Sequence, residues 1–250
     1  MTAHSASART TAGPVGPVSR GPIGIAIEIV FGGALATIFA WGIGVMIAYG
    51  GMQTSWMWAD KGIDHARGLV EENLRFIAEY PHSILIQDTL AFEHNVIQAV
   101  SRPFIAMGVL KYYEASLKPI PDSADSLGKT LALLKRELAK VFMVAMYIAM
   151  DTAMRLFVVV FALPSFLLAC LLGIVDGLVR RDLRRWGGGR ESSFVYHRAK
   201  KATAWSISGG FAIYLAWPFG GFNPAYMVLV FTVLVAASLS MYVSTFKKYL

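Results

Sequence analysis

The sequence predicts an all-α integral membrane protein with four transmembrane helices and a helical periplasmic region between the first two. The chain has 250 residues, of which 56% are hydrophobic and only 16% are charged, whereas an ordinary soluble domain is about 25% charged. Several uncharged runs approach or exceed the roughly 20 apolar residues that cross a bilayer. No segment sustains the polar–apolar alternation of period two that indicates a strand.

Composition and charge divide the chain into six regions. The first region, residues 1–22, contains mainly Ala, Ser, Thr, Gly and Pro. This composition cannot bury a core, so we expect the region to be disordered. The regions are a disordered cytoplasmic tail (1–22), transmembrane helix 1 (23–52), a helical periplasmic region (53–140), transmembrane helix 2 with an outer extension (141–179), a basic cytoplasmic loop (180–201), and transmembrane helices 3 and 4 (202–250).

The basic loop fixes the orientation of every other segment. Arg180–Lys201 holds eight basic residues against two acidic ones, a surplus of six within a formal net charge of +7. Loops of this kind remain on the cytoplasmic side, because Lys and Arg near a span resist translocation. Asp60–Lys140 holds ten basic and eleven acidic residues, so its near-neutral charge permits translocation. We therefore expect a multi-pass protein of the bacterial inner membrane with both termini in the cytoplasm.

Transmembrane helix 1 contains an uncharged run from Ile29 to Tyr49, 21 residues or about 31 Å of helix. Small residues recur at every fourth position along it. Spacing of four places them near one helix face, where they allow the backbone of another helix to approach closely. The small residues we expect to pack against another helix are Gly32, Ala36, Ala40 and Gly44.

The predicted periplasmic region reads as consecutive amphipathic helices. Apolar spacing predicts a first helix from Ile63 to Ile77. Ser83 could cap a second helix, which we expect Pro103 to interrupt. A later helix presents leucines on one face and could continue without a break into transmembrane helix 2. These leucines are Leu127, Leu131, Leu134 and Leu138.

Transmembrane helix 2 has an uncharged run of 20 residues, Leu156–Val175, with Pro164 as a predicted kink. Asp151 and Arg155 precede it and are four residues apart, so they share a helix face. One interpretation makes them an intramembrane functional pair. The other, which the spacing favours, places them at the outer headgroup level with Arg155 snorkelling towards water.

Polar and apolar runs also predict the elements after this span. Asp176–Trp186 reads as a short amphipathic helix that could lie on the membrane, and Gly187–Gly189 as a break. Ala202–Trp217 and Ala225–Phe246 are the third and fourth spans. Asn223 is a plausible cap with Pro224 at the first helical position. The fourth span has small or hydroxyl residues at spacings of four: Thr232, Ala236, Ser240 and Ser244.

No motif indicates catalysis, a cofactor or a metal. The single cysteine, Cys170, lies in an apolar run, and none of the five histidines forms an H-x-x-x-H pair. The run Gly187–Ser192 lacks the G-x-x-x-x-G-K-[ST] pattern of a phosphate-binding loop. We therefore expect no enzyme activity and no cofactor.

One segment resembles a known bacterial family. It is Val175–Lys201, with RRDLRR at Arg180–Arg185, GGGRESS at Gly187–Ser193, and the pair Tyr196 and His197. These motifs resemble the integrating conjugative element membrane protein family, a domain of unknown function that also occurs on conjugative plasmids. Members are encoded among type IV secretion genes, often near the coupling ATPase. The resemblance implies a role in conjugative DNA transfer and assigns no catalytic residue.

The leading hypothesis is a non-catalytic inner-membrane component of a conjugative type IV secretion system. We expect membrane lipid and other secretion subunits, such as the coupling ATPase, as partners, a possible oligomer, and no sequence-specific nucleic-acid binding. The residues expected to dock a partner or lipid headgroups are Arg180, Arg181, Arg184, Arg185, Arg190 and Glu191. An alternative is an entry-exclusion or surface-signalling protein that acts through the periplasmic region. The absence of charge in the middle of each span argues against a transporter.

Overall fold

A computed structural model of the chain describes residues 22–54, 63–79, 86, 88–121, 125–188, 193–217, 219–221 and 223–245. All regular structure in these ranges is helical. The helices are α1 (Pro22–Gln53), α2 (Ile63–Ala78), α3 (Thr89–Ala106), α4 (Val109–Ser116), α5 (Ser126–Trp186), α6 (Ser193–Ala204), α7 (Gly210–Ala216) and α8 (Pro224–Ser244), and a π-helical segment, Trp205–Gly209, joins α6 to α7. The all-α prediction is confirmed for these residues. The predicted tail, Ser83, Arg190 and Glu191 lie outside them.

The chain forms two compact units, Met1–Ala36 and Thr37–Leu250, and the division falls inside α1. In the first unit the described residues are helical from Pro22 onward. The second unit contains the rest of α1 and all other helices, and every contact described below lies within it.

Three helices are long and apolar enough to cross a membrane, judged by length and composition: Val30–Gln53, α5 and α8. These agree with the first, second and fourth predicted spans. The predicted third span, Ala202–Trp217, corresponds to the end of α6, the π-helical segment and α7. Each of these three pieces is short, so the third span, and with it the total of four spans, remains a prediction.

Helix α5 has 61 residues, about 90 Å at 1.5 Å per residue, and is the axis of the second unit. The predicted continuity between the last periplasmic helix and transmembrane helix 2 is confirmed, and Pro164 lies inside the helix. The separate amphipathic helix predicted at Asp176–Trp186 is wrong, because these residues are the last turns of α5. A change from apolar to charged side chains alters what a helix faces but does not break its backbone. The helix ends before Gly188, whose φ of 66° suits glycine.

The start of α3 differs from the prediction. Asp88 caps it, since Oδ1 of Asp88 accepts a hydrogen bond of 2.9 Å from the backbone N–H of Ala91. Pro103 lies inside the helix and does not interrupt it. The break comes at Gly108, which has a φ of 76°. The proline ring removes one backbone donor, whereas a left-handed residue redirects the chain.

The predicted cap of α8 is confirmed. Oδ1 of Asn223 accepts a hydrogen bond of 2.9 Å from the backbone N–H of Ala225. Pro224 occupies the first helical position, where its missing N–H removes one of the donors that lack an intrahelical partner. The helix therefore starts at the predicted residue, Pro224, one residue before the predicted span Ala225–Phe246.

Helices α2, α3 and α4 pack around the first half of α5. A row of methionines on α5 forms the core there, with Val70 of α2 and Val109 of α4 against it. The methionines are Met143, Met146, Met150 and Met154. The leucine face predicted for the start of α5 lies outside this core, and Leu127, for example, is 74% exposed.

The second half of α5 packs against α7 and α8. Ala236 and Ser240 of α8 lie against Gly173 and Gly177 of α5, so residue numbers rise together and the two helices are parallel. On α7, Phe211 packs on Phe166, while the carbonyl of Trp217, just beyond its end, lies at Arg155. Residue numbers fall along α5 as they rise along α7, so α7 is antiparallel to both α5 and α8.

Candidate docking site at the basic end of α5

The last two turns of α5 carry four of the arginines that the sequence marks as a docking site. Two of them bond within the fold. Nε of Arg180 lies 2.8 Å from Oδ2 of Asp176, one turn earlier on the helix. Nη2 of Arg184 donates to the backbone carbonyl of Ser244, at the last residue of α8. Arg184 therefore links the end of α5 to α8, whereas Arg180 pairs within its own helix.

The other two arginines have no such role. Arg181 and Arg185 make no hydrogen bond or ion pair within the part of the chain that the structure describes. They are four residues apart and so lie near one another on the helix surface. Arg185 is exposed and Arg181 is half-buried. Their guanidinium groups retain the forked donors that bind carboxylates or phosphates in pairs.

The adjacent residues extend this basic surface. Trp186, the last residue of α5, is 92% exposed. On α6, the guanidinium carbon of Arg198 lies 4.4 Å from the ring centroid of Phe194. Lys200 and Lys201 are exposed on the same helix. An exposed indole among cations is typical of a surface that contacts headgroups or another protein.

Close backbone packing holds this end of α5 against α8. A Cβ added at Gly173 would lie 2.6 Å from the carbonyl oxygen of Ala236, and one at Gly177 would lie 2.7 Å from that of Ser240. Oγ of Ser240 also donates a hydrogen bond of 2.5 Å to Oδ2 of Asp176. The same carboxylate therefore accepts from Ser240 and Arg180, which links the helix contact to the basic residues.

The small residues predicted to pack from the sequence form only one side of this contact. Ala236 and Ser240 belong to the ladder of small residues identified in the fourth predicted span. Gly173 and Gly177 were missed, although they form a G-x-x-x-G pair, a pattern that favours close approach of membrane helices. A search for that pattern would have found them.

Aromatic packing places α6 beside the end of α8. The rings of Tyr196 and Tyr242 are stacked with centroids 5.3 Å apart. Tyr196 also meets His197 edge to face, at 5.5 Å between centroids. Tyr196, part of the motif noted in the sequence, thus contributes to positioning α6 against α8.

The predicted ladder of small residues on α1 divides into two parts. Ala40 is buried, and a Cβ added at Gly44 would lie 2.9 Å from Cγ2 of Ile148 on α5. Gly32 and Ala36 are exposed. The buried face continues at Ala48, which packs in a core cluster with Ala66, Leu69, Val144 and Ile148. Nε1 of Trp41 fixes the same contact with a hydrogen bond of 2.9 Å to the carbonyl of Ala145.

A second polar cluster lies at the other end of the α5–α7 contact. Nε of Arg155 is 3.0 Å from Oδ2 of Asp151, and Nδ2 of Asn73 donates to Oδ1 of Asp151 at 2.5 Å. Nη1 of Arg155 donates to the carbonyls of Tyr214 and Trp217. The cluster thus joins α2, α5 and the end of α7.

The favoured interpretation of Arg155 as a snorkelling residue is wrong. Its side chain is 5% exposed and that of Asp151 is 4% exposed. The sequence shows that the two share a helix face, but burial depends on α2 and on the carbonyls beyond α7. These partners supply the hydrogen bonds that a buried ion pair needs.

A family model describes the chain from residue 57 to residue 247, and its description is "IncC plasmid conjugative DNA transfer protein DtrJ-like". The chain belongs to this DtrJ-like family. The match covers α2 to α8 and therefore includes the basic end of α5, the α5–α8 contact and the buried polar cluster. No curated protein and no solved structure matches the chain. The conjugative role implied by the motifs at Val175–Lys201 agrees with the family.

Proposed function

We propose that the protein is a non-catalytic inner-membrane component of a conjugative type IV secretion system, in which the basic end of α5 docks a partner subunit. Membership of a conjugative DNA transfer family is the observation that carries this proposal. The three apolar helices supply the membrane anchor. The coupling ATPase is a suitable partner because members of the family that the sequence resembles are often encoded near it.

The arrangement of the arginines supports docking to a protein. Arg180 is occupied by Asp176 on the same helix, and Arg184 is occupied by the Ser244 carbonyl, which links the end of α5 to α8. This support leaves Arg181 and Arg185 on a rigid helix end, where their forked donors can meet carboxylates. A rigid display of this kind reduces the side-chain ordering that binding requires.

The orientation in this proposal places the basic end in the cytoplasm and the start of α5 outside. Cysteines introduced at Ser126 and at Trp186, each in a Cys170→Ala background, test it. Both positions are exposed and lie at opposite ends of the same helix. A membrane-impermeant thiol reagent should label position 126 and spare position 186 in intact spheroplasts. The reverse pattern would refute the orientation.

Deletion of the gene, complemented in trans, tests the role in transfer. We expect a deletion in the donor to abolish or strongly reduce transfer, and the wild-type gene to restore it. The alternative function, entry exclusion through the predicted periplasmic helices, gives a different result. Donation would be normal, and cells lacking the gene would accept the element more readily as recipients. That outcome would replace the proposal.

A further inference from the structure

A cavity lies between the start of α8 and the middle of α5, at the opposite end of α8 from the basic residues. Its volume is about 590 Å³, within the range of about 300–1,000 Å³ that small-molecule sites occupy. Apolar side chains form much of its wall, among them Phe161 and Ala162 of α5 and Val228 and Leu229 of α8. Leu229 is 60% exposed, so the cavity reaches the surface of the apolar helices.

A buried carboxyl group lies on the wall that α3 contributes. Glu93 is 1% exposed, and its Oε2 atom has no hydrogen-bond partner within the described residues. Burial raises the pKa of this carboxyl group to about 7. Buried polar groups in folded proteins are nearly always paired. An unpaired carboxyl group facing a cavity is therefore a feature that a ligand would explain.

A second polar atom on the same cavity is also unpaired. Oγ1 of Thr232, on α8, is buried and has no partner in the described part of the chain. A carboxylate accepts hydrogen bonds, and a hydroxyl can accept or donate. The two groups lie on different helices that border one cavity.

We propose that this cavity binds a primary alkylammonium group, with its charge at Glu93 and its alkyl chain along the apolar wall. An ammonium group has three N–H donors and no acceptor, which suits Glu93 and Thr232. The wall between α5 and α8 suits the chain, because both helices are candidate membrane spans. Glu93 is the only acidic residue among the described residues that line the cavity, so its carboxylate can neutralise one positive charge but not the two of a divalent cation.

Two sources carry this chemistry, a phosphatidylethanolamine headgroup in the membrane and a soluble alkylamine. The binding itself is measured with dodecylamine as the probe and dodecanol, which has the same chain without the charge, as its control. The full-length protein in maltoside detergent at neutral pH is titrated with each. We expect a saturable rise in the apparent Tm with dodecylamine and a much smaller effect of dodecanol. Equal effects of the two compounds would overturn the proposal.

Variants locate the site. Glu93→Gln keeps the size of the side chain and should weaken dodecylamine binding about 10–100-fold, the value of one hydrogen bond to a charged group. Thr232→Val should weaken it less and leaves the carboxyl group in place. Glu114→Gln removes an exposed carboxylate on α4 and should have no effect. Unchanged binding in both cavity variants would refute the assignment.

Native mass spectrometry separates the two sources. The protein is released from nanodiscs that contain either phosphatidylethanolamine or phosphatidylcholine, whose quaternary ammonium has no N–H donor. Retention of phosphatidylethanolamine alone, lost in Glu93→Gln, identifies the membrane lipid. Dodecylamine binding without lipid retention identifies a soluble amine. The absence of both would leave Glu93 as a protonated carboxyl group in an unliganded cavity and would refute the proposal.

Discussion

The contact between α5 and α8 gives the sharpest prediction of stability. A Cβ at Gly173 or Gly177 would lie within 2.7 Å of a backbone carbonyl oxygen of α8. Neither helix can relieve that overlap by rotating a side chain, so the helices must separate. Overpacking of this kind costs about 1–3 kcal/mol, while alanine gains about 1 kcal/mol over glycine within a helix.

We therefore expect Gly173→Ala and Gly177→Ala each to destabilise the protein by up to about 2 kcal/mol. The apparent Tm in detergent should fall by about 2–4 °C per kcal/mol, the scaling of a chain of this size. Gly42→Ala on α1 is the matched control, because nothing lies within 4 Å of a Cβ added there. It should be neutral or slightly stabilising. A Gly173→Ala variant as stable as Gly42→Ala would refute the close contact.

Three further predictions concern the packing of α1, the buried ion pair and Glu93. Ala40→Leu should lower the apparent Tm and Ile38→Leu should not, because Ala40 is 5% exposed and Ile38 is 60% exposed; equal Tm values would contradict the packing of α1. Arg155→Leu should cost about 3–5 kcal/mol because it leaves Asp151 buried without its partner, and the double variant with Asp151→Asn should be the more stable of the two. The pKa of Glu93 is raised to about 7, so the protonated carboxyl group favours the folded state at low pH, and this contribution to stability is lost as the pH rises through 7. The stability of Glu93→Gln relative to wild type should therefore increase between pH 5 and pH 8, by about 3 kcal/mol at most and less where water reaches the cavity. A difference in stability that does not change with pH would contradict the burial of Glu93.

Local chemistry explains what the sequence predicted well. The cap at Asn223, the first-turn Pro224 and the continuity of α5 follow from residues that are neighbours along the chain. The clustering of basic residues at the end of α5 is likewise a property of one short segment. The Asp176–Arg180 pair was not predicted, although its four-residue spacing places the two residues on one helix face.

Long-range partners explain what it missed. The bond from Arg184 to the Ser244 carbonyl joins residues 60 positions apart. The acceptor is a backbone carbonyl, which a pattern of side chains does not predict. Glu93 reads as a surface residue until α3 packs on α5, where Phe92 meets Phe157 at 4.9 Å between ring centroids. Arg155 reads as a headgroup anchor until Asn73 and the carbonyls beyond α7 surround it. In each case tertiary packing decides the burial of a charged side chain.

The role of the basic end rests on a division among four arginines. Arg181 and Arg185 are available to a partner, whereas Arg180 and Arg184 bond within the fold. Lysine keeps the positive charge but cannot form the forked pair of hydrogen bonds with a carboxylate. The pair Arg181→Lys and Arg185→Lys therefore tests docking, and the pair Arg180→Lys and Arg184→Lys is the matched control of equal charge.

The decisive measurement is the transfer frequency of a donor that carries Arg181→Lys and Arg185→Lys together. Correct insertion is first checked by the cysteine labelling described above, and the protein level by immunoblotting. Docking through forked hydrogen bonds predicts a fall of at least tenfold, which corresponds to the loss of about 1.4 kcal/mol of binding. An electrostatic anchor on anionic lipid, to which each basic residue contributes about 1 kcal/mol whatever its type, predicts wild-type transfer. Wild-type transfer in this variant would contradict the docking role of the basic end.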